Sequence, residues 1–295
     1  MCAYHIQPSA HGQGVFATRK IGKGETIIRE SPLLEVPGVR DDIGNTTYSP
    51  IEAWRQLPSD DRTQFLLLHK HPSVKSTSFG LSPLSDTYTD INAVFYANFW
   101  NENGFGVVDR DGSRINHACF PNSYRVHRAG GTDVVYRATR DIFPGEEISI
   151  SYLGSQWMKR TQRQEQLSRW EFTCTCIFCV DTVEGNEKER RLAAVFDNKE
   201  LYDSGTNSNG KTPQQLHMLH QSVHCRCAKF LVDEKVASPL LAIHQTQAAK
   251  SFYALNNRAG AIKWGKSAVE TLRICMGEDS NEMKAAKIRL EEFGV

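Results

Sequence analysis

Three thiols crowd one short stretch of this 295-residue chain: Cys174, Cys176 and Cys179 fall within six residues. Thiolates at that spacing offer three of the four ligands of a tetrahedral zinc ion and leave the fourth to another part of the chain. A second stretch, Asn116-His117-Ala118-Cys119-Phe120-Pro121-Asn122, sets amide, imidazole and thiol groups side by side. A third, Gly145-Glu146-Glu147-Ile148-Ser149-Ile150-Ser151-Tyr152, ends an alternating run on a phenol. Glu146 and Glu147 are neighbours, so on a strand they face opposite ways and are not spaced as an opposed acid and base. Tyr152 reads either as a buried strand residue or as a phenol beside reacting atoms. His117 reads either as a structural histidine or as a ligand contact.

The remaining cysteines are Cys2, Cys225, Cys227 and Cys275. Met1 to His5 lacks the charged-then-apolar layout of a signal peptide, so a nuclear or cytoplasmic location with reduced thiols is expected. There, eight cysteines suggest metal before disulfides. Cys225 and Cys227, with His217, His220 and His224 nearby, form a second set of donors, although such a cluster on a helix is usually fortuitous. A net charge of +1 demands no nucleic-acid partner. No run of 18 apolar residues is present, so no membrane span is expected.

Positioning these groups requires strands first. Val15-Phe16-Ala17 and Thr26-Ile27-Ile28 read as short strands joined by a turn at Gly22-Lys23-Gly24. Gly12-x-Gly14 lets a backbone approach a ligand, although taken alone the pair reads first as a plain turn. Ile51 to Leu57 reads as helix up to Pro58, and Ser59-Asp60-Asp61 reads as the cap of a second helix carrying Phe65, Leu66 and Leu68. Residues 71 to 86 read as loop. Asp90 to Trp100 reads as helix, its aromatic cluster Phe95, Tyr96, Phe99 and Trp100 as core. Thr132 to Ala138 reads as strand, and Asp141 to Gly145 as a turn. Ser155 to Phe172 reads as an amphipathic helix carrying Trp157, Leu167 and Trp170. Thr182 to Leu201 reads as a solvated helix, 203 to 210 as a linker. Further helices are expected over 213–236, 239–255, 258–277 and 280–293.

The segments Arg114–Asn122 and Gly145–Tyr152 resemble the paired signature of the SET-domain lysine methyltransferases, without gap or substitution. The resemblance implies an α+β fold: a SET β-fold with a pseudoknot-like crossing (1–154), a helical insert at about 40–100, and a post-SET zinc segment (155–181). It implies S-adenosylmethionine as cofactor, contacted by Gly12, Gly14, Val15, Phe16, Asn103, Asn116, His117 and Tyr152, with Phe172 stacking on adenine. Tyr152 would lie beside the transferring methyl and the lysine nitrogen. Asn122 would fix the turn after Pro121. The family's post-SET cysteines take their fourth zinc ligand from the position of Cys119, which gives Cys119, Cys174, Cys176 and Cys179 as the expected set.

Residues 248 to 293 resemble a tetratricopeptide-like helix pair, a unit that cannot bury its faces alone. SMYD-type SET enzymes carry such helices in the same place (182–295 here), but the MYND zinc module of those enzymes is missing. The expected function is protein-lysine N-methylation, histone being one substrate class and the C-terminal helices one partner surface. Two alternatives stand beside it: a SET-fold methyltransferase of a non-histone protein or small molecule, and an inactive SET scaffold.

Overall fold

The computed structural model describes residues 2–38, 49–74, 86–102, 104–127, 133–154, 157–203 and 210–293. Among the described residues, three small sheets make the first half. Strands β1 (Tyr4–Ser9) and β2 (Gly12–Ala17) form a tight antiparallel hairpin. Strand β3 (Thr26–Glu30) leaves it, followed by β4 (Leu34–Pro37). Helices α1 (Pro50–Arg55), α2 (Ser59–Leu66) and α3 (Asp86–Asn98) precede β5 (Trp100–Glu102) and β6 (Phe105–Val108). Then come β7 (Asn116–His117), β8 (Ser123–His127), β9 (Val134–Ala138) and β10 (Glu147–Ile150).

The sheet orders are β1-β2-β10-β7, β3-β9-β8 and β4-β6-β5. The crossing lies in the first of these. The chain leaves β7, runs through the β8–β9 hairpin, and returns as β10, parallel to β7 and antiparallel to β2. The Asn122 side chain fastens this return: it donates to the Glu147 carbonyl (2.8 Å) and accepts the Ser149 N–H (2.8 Å). Asn122 is buried, and both ends of its carboxamide find partners on the returning strand. Val15, Ile21, Ile115, Tyr136 and Ile148 fill the space among these strands with no exposed surface.

The insert has its own core. Phe65, Ile91, Val94 and Phe95 pack on Leu34, Val36 and Val108, and Phe95 stacks on Phe99 at 4.9 Å. Trp100 departs from the expected helix. That helix stops at Asn98, whose amide turns back to the carbonyls of Val94 (2.7 Å) and His69 (2.8 Å), a local bond that competes with continuation. Trp100 therefore opens β5 and faces Tyr152 instead of the insert core. Pro58, not Ser59, is the N-cap of α2; Asp60 and Asp61 lie in its first turn, where the helix dipole favours them. Positions 204–209 of the expected linker and 75–85 of the expected loop lie outside the described residues.

The post-SET helix is shorter than its pattern suggests. It is α4 (Arg160–Leu167), continued by a 3-10 turn over Ser168–Trp170 and stopped by Glu171 in the left-handed region (φ 58°). Trp157 and Met158 are buried ahead of it. The indole lies between Phe230 and His244, where it is buried and its N–H has a partner. Helices α5 (Val183–Asp203), α6 (Pro213–Asp233), α7 (Pro239–Ala254), α8 (Arg258–Cys275) and α9 (Asn281–Glu292) follow. Thr212, Ser238, Asn257 and Ser280 cap the last four, each accepting a first-turn N–H.

Helix α8 lies on β8 and β9. Arg137 of β9 donates from Nε to the Ile274 carbonyl at 3.0 Å and also reaches the Gly24 carbonyl. Trp157 supplies a second attachment, its Nε1–H donated to His244 Nε2 at 3.0 Å.

Candidate functional site

Cys119 follows β7 and meets the three cysteines that come after Glu171. Its sulfur lies 3.5 Å from that of Cys179 and 3.9 Å from that of Cys174. All four sulfurs fall within 4.8 Å of one another. Zinc–sulfur bonds of about 2.3 Å place tetrahedral sulfurs about 3.8 Å apart, so the four residues fit one structural zinc ion. The Cys119 S–H holds Cys176 and Cys179 below the ordinary thiol value, Cys179 at about 7. Cys119 itself is pushed up by its sulfur neighbours, Cys174 first; zinc would take all four as thiolates.

Sequence reasoning missed Arg163. This side chain is fully buried. It donates to the carbonyls of Met158 (2.6 Å) and Phe178 (2.9 Å), pairs with Glu189 (2.8 Å), and comes within 3.6 Å of the Cys179 sulfur. A guanidinium here offsets thiolate charge. Its signal was the i,i+4 spacing to Leu167, which puts both on one helix face. Phe120 stacks on Phe178 at 3.9 Å and closes the cluster from the other side.

His117 joins this cluster to Tyr152. Its Nε2 lies 3.4 Å from the Cys119 sulfur, and its Nδ1 accepts the Tyr152 backbone N–H at 3.0 Å. Both ring nitrogens are thus committed within the protein. Burial pushes the imidazole down to about 4, which keeps Nδ1 a neutral acceptor and gives the proton to Nε2.

The Tyr152 hydroxyl donates to the Ile115 carbonyl at 2.7 Å. Burial, and then Glu147, push the phenol above its ordinary range, so it stays protonated at neutral pH. Four rings surround it: His117 at 5.3 Å, Trp170 at 5.4 Å, Phe172 at 6.3 Å and Trp100 at 6.4 Å. Trp100 and Trp170 escaped notice because one was assigned to the insert core and the other to a helix face. Phe172 stands over the β1–β2 turn, 5.5 Å from the His11 ring.

The other expected cofactor residues divide. Gly12 adopts φ +96°, and the space beside its Cα is open. A Cβ on Gly14 would instead lie 2.5 Å from Glu147 Oε1 and 2.9 Å from Ser9 Cβ; the protein itself occupies the place a side chain would take. Val15 is fully buried in the core between β1 and β10, whereas Phe16 is half-buried. Asn116 Nδ2 donates to Ser9 Oγ (2.9 Å), the Gln13 carbonyl (3.1 Å) and Glu147 Oε1 (2.8 Å). Its Oδ1 bonds to none of the described residues. Asn103 lies outside the described residues.

The second donor set does not converge. Among the described residues, the Cys119 group alone gathers three or more metal-binding side chains. Cys227 is buried, while His224 turns to His244, with Nδ1 to Nδ1 at 2.9 Å.

Residues 12–153, just under half of the chain, match the SET domain. It is similar to the histone-lysine N-methyltransferase set5 of Schizosaccharomyces pombe, at 27% identity over 66% of this chain and 54% of that protein. It is similar to the N-lysine methyltransferase SMYD2 of Gallus gallus, at 32% identity over 30% of this chain and 22% of that protein. The chain thus spans about half the length of the first relative and far less of the second. A solved structure of Rubisco LSMT bound to AdoMet aligns over 99% of this chain and 87% of its own, at 13% identity and a TM-score of 0.37. No described helix is long and apolar enough to cross a membrane.

Proposed function

We propose that this protein is an S-adenosylmethionine-dependent protein-lysine N-methyltransferase. The observation that carries the reading is Tyr152: a protonated phenol, fixed by Ile115 and His117, inside a ring of four aromatic side chains. The bound cofactor would supply a sulfonium methyl. The chain's part is to align a neutral amine with that methyl and exclude water.

The Tyr152 O–H is donated to the Ile115 carbonyl, which leaves the phenol oxygen as an acceptor for the incoming amine. Trp100 and Trp170 carry the Arg125 and Arg169 guanidinium groups over their rings, at 5.0 and 3.9 Å, and with Phe172 they wall the phenol's surroundings. Gly12 would border the cofactor, Asn116 Oδ1 would accept from it, and Phe172 would cover its base. Cys119, Cys174, Cys176 and Cys179 would hold zinc, which would fasten Phe172 and Trp170 over the site.

Histones are the substrate class suggested by the first relative's name, and such a protein works in the nucleus, the cytoplasm or both. Transfer of labelled methyl to mixed histones and to cell protein extract, with Tyr152→Phe as control, tests the reading. Label lost at least tenfold in the variant supports it. Label absent from both substrates, in a protein that binds the cofactor, sinks it.

A further inference from the structure

A cavity of about 400 Å³ opens at the seam between the SET strands and the C-terminal helices, and it shares no residue with the surroundings of Tyr152. That volume lies within the range of ligand sites. Its lysines come from three parts of the chain: Lys23 from the turn before β3, Lys235 after α6, and Lys266 on α8. All three side chains are exposed, and none forms an ion pair among the described residues. Glu270, the carboxylate on the same wall, is engaged by Arg273 of its own helix at 2.7 Å.

The lining also includes Leu241, Ile274 and the carboxamide of Gln245. Gln245 is 4% exposed, and its Oε1 is buried with no hydrogen-bond partner. A buried acceptor without a donor is a costly feature. An occupant that brings an N–H would remove that cost.

These features exclude a bare anion as the natural occupant. A phosphate or carboxylate on the inner wall would meet an acceptor oxygen and aliphatic carbon. Negative charge belongs at the three ammonium groups, which come from separate elements. A peptide satisfies both demands, because it carries N–H donors along its backbone and side chains of different kinds on either side.

We propose that this cavity docks an acidic peptide segment of a partner protein. One aliphatic side chain enters against Leu241 and Ile274. A peptide N–H is donated to Gln245 Oε1, and flanking carboxylates meet Lys23, Lys235 and Lys266. Because Lys23 belongs to the SET strands and the other two to the helices, one occupant would bridge both.

Fluorescence anisotropy of labelled Glu-Glu-Leu-Glu-Glu, titrated with the full chain, tests this without any measure of methyl transfer. Saturable binding is expected, weakened at least about tenfold by Lys235→Glu combined with Lys266→Glu. Gln245→Leu, which keeps the cavity apolar and full, is expected to weaken binding about threefold or more. Glu-Glu-Gly-Glu-Glu should bind at least about fivefold more weakly than the leucine peptide. Equal affinity for the glycine peptide would reduce the site to surface charge and overturn the proposal. Absence of binding up to about 1 mM, or affinity untouched by the lysine reversals, would overturn it as well.

Discussion

The Nδ1 of His117 accepts the backbone N–H of Tyr152 across 3.0 Å, while Nε2 of the same ring lies 3.4 Å from the Cys119 sulfur. One imidazole therefore touches both the thiol cluster and the residue proposed to face the reaction. His117→Leu keeps the bulk and removes both bonds. It should lower stability by about 1–3 kcal/mol, since the Tyr152 N–H loses its partner. It should also speed release of metal to a chelator. Urea unfolding and a chromogenic zinc assay check the two effects, and an unaltered release rate would uncouple the imidazole from the cluster.

Purified protein should carry about one zinc per chain. Cys176→Ser should abolish that content and release Phe172 from its place beside His11 and His117. Elemental analysis gives the stoichiometry, and proteolysis within residues 170–182 reports the release. A metal-free protein that resists protease as well as the wild type does would contradict the assignment.

Gly14→Ala should destabilise the β1–β2–β10 sheet by about 1–3 kcal/mol, because its Cβ would lie 2.5 Å from Glu147 Oε1. Displacing Glu147 also removes the 2.8 Å acceptor of Asn116. Pairing Gly14→Ala with Glu147→Ala should recover part of the loss. A double variant no better than the single would show that Ser9 or Phe16 supplies the obstruction.

Acid should weaken the attachment of α6 and α7. His244 accepts from Trp157 and meets His224, with His220, Lys199 and Asp203 also acting on the pair. Burial lowers His224 to about 4 and His244 to about 3. Between about pH 6.5 and 4 the unfolded chain binds protons that the folded chain refuses, so stability falls as pH falls through that window. The slope should reach about 1.4 kcal/mol per pH unit from His244. Half-buried His224 should add less, because water screens it. Urea unfolding at pH 7.5, 6 and 5 on wild type and His224→Gln measures this, and identical slopes would exonerate the pair.

What the chain reveals before folding is uneven, and the reasons are physical. The cysteine set was legible because short thiol spacing fixes ligand geometry locally and the Asn-His-Cys segment resembles a known family. The C-terminal helices were legible because Pro213 and Pro239 mark helix starts, as do Thr212, Ser238 and Ser280. Trp100 and Trp157 were misplaced because tertiary burial, which no local pattern records, overrode helical spacing. The aromatic enclosure of Tyr152 joins residues from positions 100 to 172, so it exists only after the strands cross. Gly14 was read as a ligand approach, whereas its tight contact is with a carboxylate on another strand.

The hydrogen bond from Arg137 to the Ile274 carbonyl joins residues 137 positions apart. At ribosomal speeds of about 5–20 residues per second, the β3–β9–β8 sheet waits roughly 7 to 27 seconds for the helix that covers it. During that interval its outer face is open to any chaperone or nascent neighbour. The last helices thus set when the newborn SET strands stop being an aggregation hazard.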